Sequence, residues 1–148
     1  MNTHPYLRAY LAGIFVPTLV LPLLLTVFIV ARIVLKAPVP IEQALIFPMA
    51  AVPSLFGLWN ILWLGSHAHT HLPIGLHGAL LPLLLMPMGA TTASSLGVLA
   101  LGAHGATWFQ AISVPYTLIA PVFLAALVGY YLVWKYIVGF LNRVVGIA

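Results

Sequence analysis

Four histidines crowd one short stretch, Ser66-His67-Ala68-His69-Thr70-His71-Leu72-Pro73-Ile74-Gly75-Leu76-His77, and imidazole is the most versatile ligand this sequence gathers anywhere. On a helix, His67 and His71 stand at i and i+4 on one face, a spacing that can chelate a single ion. On an extended segment His67, His69 and His71 share a side instead. Either geometry supplies neutral nitrogen ligands suited to Zn, Cu, Ni or Fe. His67, His69, His71 and His77 are therefore the candidate metal set. A haem held between His77 and His104 requires a different fold, because about 27 residues of continuous helix, roughly 40 Å, would separate them.

The spacing from His67 to His71 resembles one histidine box of the membrane-bound di-iron desaturases and hydroxylases. The likeness covers only that short stretch, and the further boxes of those enzymes are missing, so it carries no activity over. Other enzyme chemistry is poorly supplied. Glu42 is the only acid, which excludes paired carboxylates and leaves Ser66 and His67 without the acid of a triad. Glu42 opens the second apolar segment, where a carboxylate suits the positive end of a helix dipole. Cysteine is absent, which removes disulfides, thiolate metal sites and attached c-type haem together.

The elements that must position these groups follow from composition. The 148 residues are 64% hydrophobic and 4% charged, against about a quarter charged in ordinary soluble domains. The solvent is a bilayer, and each crossing needs about 20 apolar residues. Apolar segments at residues 10–35, 44–64, 78–101 and 113–136 predict a single all-α domain over 1–148, a four-span antiparallel bundle with short loops. The first run is longer than a secretory signal core and reads as a retained span.

Each segment carries two prolines: Pro17 and Pro22, Pro48 and Pro53, Pro82 and Pro87, Pro115 and Pro121. The deeper member of each pair is expected to kink its helix. Four crossings put both termini and the histidine loop on one side. Trp59, Trp63, Tyr130, Trp134 and Lys135 fall near that side as interfacial anchors. Arg8, Lys135 and Arg143 there, against Arg32 and Lys36 opposite, favour its cytoplasmic placement by one charge. The bases are scattered singly, so the net charge of +4 points to lipid headgroups and not to nucleic acid.

Gly89, Ala93 and Gly97 fall at i, i+4 and i+8 on the third segment, and Ala125 and Gly129 form a shorter stripe on the fourth. Such stripes let neighbouring helices approach closely. Asn60, between Trp59 and Trp63, is expected to bond to a neighbouring helix. Three functions compete on these residues. The first is a non-enzymatic packing or assembly protein, a homo-oligomer or an accessory subunit of a larger membrane complex. The alternatives are a transition-metal or haem protein using the histidine loop, and a small oligomeric channel or carrier.

Overall fold

The computed structural model describes residues 4–36, 41–110 and 112–147, the side chains of 41–50 excepted. Glu42, expected to serve the helix dipole, and Pro48 fall within that exception.

Four long helical segments account for most of the chain. Helix α1 (Pro5–Val34) packs along α2 (Ile41–Thr70), and α3 (Ile74–Ser95) packs against α4 (Tyr116–Leu132). A π-helical turn (Val133–Val138) and α5 (Gly139–Val144) continue α4 without a break. Three stretches, Pro5–Val34, Ile74–Ser95 and Tyr116–Val144, are long and apolar enough to cross a membrane. Their outer surfaces agree with that: Leu23 is 67% exposed, Val27 61% and Val122 66%. Exposed in water, such a surface would be a large aggregation-prone patch, whereas in hydrocarbon it is solvated.

Three expectations need correction. The chain is not all-α, because residues 99–115 form an antiparallel sheet of β1 (Leu99–Leu101), β2 (Gly105–Trp108) and β3 (Ile112–Pro115), in that order. The third helix stops at Ser95, short of 101, and the fourth begins at Tyr116. The cause is Gly97. It adopts a left-handed φ of 69°, its N–H donates to the Ser94 carbonyl, and the Val98 N–H donates to the Ala93 carbonyl at 2.8 Å. This is a Schellman stop with glycine just past the helix end. Thirdly, the histidine stretch is mostly helical: α2 runs through to Thr70 and α3 begins at Ile74. His71, at φ 51°, makes the corner between them.

The core lies where the two helical hairpins meet. Phe56, Leu81, Trp134 and Val138 form its buried cluster, with Val52, Trp59 and Tyr130 packed around them. The α1 face that enters it reads Ala9, Gly13, Pro17 and Leu21 at successive i+4 positions. Small side chains there let backbones touch: a Cβ on Gly13 would stand 2.6 Å from the Phe56 carbonyl oxygen and 2.9 Å from the Gly57 Cα.

A polar knot as the candidate functional site

The groups able to do chemistry collect at the end of the molecule that holds both termini and the α2–α3 corner. The Arg8 guanidinium donates to the Val145 carbonyl at 3.3 Å, joining the start of α1 to the end of α5. Just inside this contact lie Asn60 and Asn142, both fully buried. Asn60 Nδ2 donates to Asn142 Oδ1 at 2.8 Å and to the Ala9 carbonyl at 2.7 Å. Asn142 Nδ2 returns a bond to Asn60 Oδ1 at 3.0 Å. Three helices are thereby tied by two carboxamides. Asn142 reaches this position through the sequence Trp134, Val138, Asn142, an i, i+4, i+8 line that is wholly buried.

His77 belongs to a second closed pair. Trp59 Nε1–H donates to the His77 carbonyl at 2.9 Å, and His77 Nε2–H donates to the Trp59 carbonyl at the same distance. Because a carbonyl only accepts, this bond fixes the Nε2–H tautomer and leaves Nδ1 as the one lone pair. The two rings stack with centroids 4.8 Å apart, and the edge of Trp134 approaches His77 at 6.0 Å. Gly78 follows directly and leaves the space that the Trp134 indole fills. Trp134 Nε1 is the buried side-chain nitrogen without a partner among the described residues.

The four loop histidines are thus not gathered. His77 is buried beside Trp59 whereas His67, His69 and His71 are exposed, and His67 rests against the Trp63 ring at 4.9 Å. Among the described residues, no three of His, Cys, Asp and Glu come close enough together to hold a metal ion. His104 lies in the β1–β2 turn, beyond the far end of α3 from His77. Those two therefore do not face one iron. Ser66 donates to the Leu62 carbonyl at 2.7 Å, within its own helix.

The packing residues also differ from expectation. Gly97 lies outside α3, so the stripe through Gly89 and Ala93 is cut short. A Cβ on Gly89 or Gly129 would meet nothing within 4 Å, and Ala125 and Gly129 are exposed. The helical glycines in close contact with another helix are Gly13, Gly57, Gly75 and Gly78, and in the sheet Gly105 lies against Val114. For Gly13 the sequence carries a signal: Ala9 and Gly13 are small residues at i and i+4 of the first segment. Of the expected anchors, Trp134 is 0% exposed and Trp63 6%, so both are core residues. Trp59 and Tyr130 pack around the core. Lys135 is exposed, its ammonium 5.4 Å from the Tyr131 ring and 5.3 Å from the Tyr136 ring, a cation–π pair of the kind found where bilayer meets water.

Three hydroxyls of α3 are spent locally: Thr91 and Thr92 donate to the Met88 carbonyl and Ser95 to the Thr91 carbonyl. Compared with known protein families, curated proteins and solved structures, the chain matches none.

Proposed function

We propose that the chain is a multi-pass membrane protein that works by assembly, as a homo-oligomer or as a subunit of a larger membrane complex, and not by catalysis. The observation that carries this reading is that the buried amides and the His77 Nε2 are bonded within the chain, Trp134 Nε1 and His77 Nδ1 being the exceptions. An ionisable side chain within a membrane ordinarily marks a substrate or ion path, whereas an amide can instead join helices. Here the buried polar residues Asn60, His77 and Asn142 bond to one another, to Trp59 or to the backbone of the same chain. They hold helices together and offer no open coordination set. Meanwhile Ala125 and Gly129 lie exposed on α4, where a neighbouring helix could approach closely.

In this reading α2 is the fourth span. Its 30 residues give about 45 Å of helix, and it lies along α1. Both termini and the three exposed histidines then share one side, which the charge balance favours as cytoplasmic. The test is extraction of the protein with its surrounding lipid in polymer-bounded discs, followed by mass determination. Several copies, or a fixed ratio to a second polypeptide, is the expected result; a lone 15.9 kDa chain overturns the proposal.

A further inference from the structure

A cavity of about 810 Å³ lies between α3, α4 and the sheet, within the range of roughly 300–1,000 Å³ typical of sites that hold a small molecule. Its origin is visible in the sequence. Gly89 and Ala90 on α3 provide a floor with almost no side chain, and Val122 and Phe123 on α4 form the opposite wall. Residues of the sheet line the rest of it. Its pairing puts Leu99 opposite Trp108, Leu101 opposite Ala106, and Ala106 opposite Val114, so these five residues share one face, and all five line the cavity. The other face carries Ala100, Thr107 and Ser113, also in register. The sheet is therefore two-sided, apolar toward the cavity and small or polar away from it.

We infer that this cavity holds the hydrocarbon tail of a membrane phospholipid as a bound ligand. The described lining has no charged side chain, and its one phenol, Tyr116, already donates to the Gly102 carbonyl at 2.7 Å. Water needs two to four polar partners to stay in such a space, so the occupant is apolar. A helix from another protein fits poorly. A helix is about 10 Å across, so about two turns of it would fill 810 Å³. A single hydrocarbon tail is thinner and has no polar backbone to satisfy. The polar face of the sheet then marks the boundary at which headgroup and water begin. This inference concerns a ligand and stands whether or not the chain assembles.

The experiment titrates detergent-purified, delipidated full-length protein with dioleoyl phosphatidylcholine and counts retained lipid by native mass spectrometry. The wild type is expected to bind one lipid saturably. Gly89→Leu puts a side chain into open space and takes up room the tail occupies. Displacing about two methylenes lowers affinity about tenfold. Gly65→Leu, equally open but away from the cavity and from the α4 surface, is expected to bind as the wild type does and controls for folding. A lipid brominated on its tail is expected to quench wild-type fluorescence more than that of Trp108→Phe, a readout that does not depend on Gly89→Leu folding. Absence of saturable binding, equal binding by Gly89→Leu with a wild-type melting profile, or quenching unaffected by Trp108→Phe each overturns the inference. So does a dimer that the wild type forms and Gly89→Leu abolishes, because a second copy would then be the occupant.

Discussion

Asn60 and Asn142 are separated by 82 residues in sequence and each satisfies the other. Removing one leaves a carboxamide buried without its partner, which costs more than the net value of the bond itself. Asn142→Leu is expected to lower stability by about 1–2 kcal/mol, the upper part of the range for interhelical bonds in membranes. Asn60→Leu is expected to cost at least as much, since it also gives up the Ala9 carbonyl. The double variant should lose less than the sum of the singles, as measured by a double-mutant cycle of unfolding in mixed detergent micelles. Additive losses would show the two side chains to be uncoupled. Gly78 is a second test at this scale. A methyl there collides with the Trp134 indole, so Gly78→Ala is expected to cost about 1–3 kcal/mol through overpacking, whereas Gly129→Ala should stay within about 0.5 kcal/mol of wild type.

Asn60 was legible in the sequence as a helix-bonding residue, because a lone amide in an apolar run has few other uses. Asn142 was not, since its partner depends on how the last helical segment turns about its axis. The π-helical turn sets that rotation: the Gly139 N–H reaches the Trp134 carbonyl, five residues back, and no periodicity in the sequence announces it.

At the scale of elements, the sheet is the main departure from the sequence reading. Leu99–Leu101 continues an apolar run, and a short run of that kind fits a helix or a strand equally well. Gly97 decides between them by ending α3, yet its spacing from Gly89 and Ala93 also fits a packing stripe. One glycine thus supports two readings, and only its φ tells them apart. The turn after β2 passes through Phe109 and Gln110, both at positive φ (54° and 57°), where neither side chain suggests a turn in advance. The sheet's two-sidedness is testable because the chain has no cysteine of its own. Thr107→Cys and Ser113→Cys are expected to react with a membrane-impermeant maleimide in intact vesicles, and Ala106→Cys, buried on the apolar face, to stay protected. Equal labelling of all three would mean that the sheet does not lie at the boundary.

The histidine stretch gave the sharpest chemical suggestion, and the elements around it disperse it. Helix α2 runs three residues past His67, and α3 starts early enough to bury His77 in its first turn. Helix continuation across an apparent loop is governed by tertiary packing, here by Trp63, whose indole donates to the Leu72 carbonyl at 3.3 Å and steadies the corner.

For the molecule as a whole, composition points to a bilayer as the solvent, and three helices long and apolar enough to cross a membrane are compatible with it. A crossing by α3 would place the α2–α3 corner and the sheet on opposite sides of the bilayer. His69→Cys is therefore expected to label from the side opposite to Thr107→Cys, and labelling of both from one side would exclude α3 as a span. Partner identity was never legible, because an exposed apolar surface reads the same against lipid as against another helix. The most direct measurement is native mass spectrometry of the protein released from its own membrane, compared with a Gly129→Phe variant. The assembly account predicts a multi-copy or two-component species for the wild type and its weakening or loss in the variant; a wild type that emerges as a single chain would contradict it.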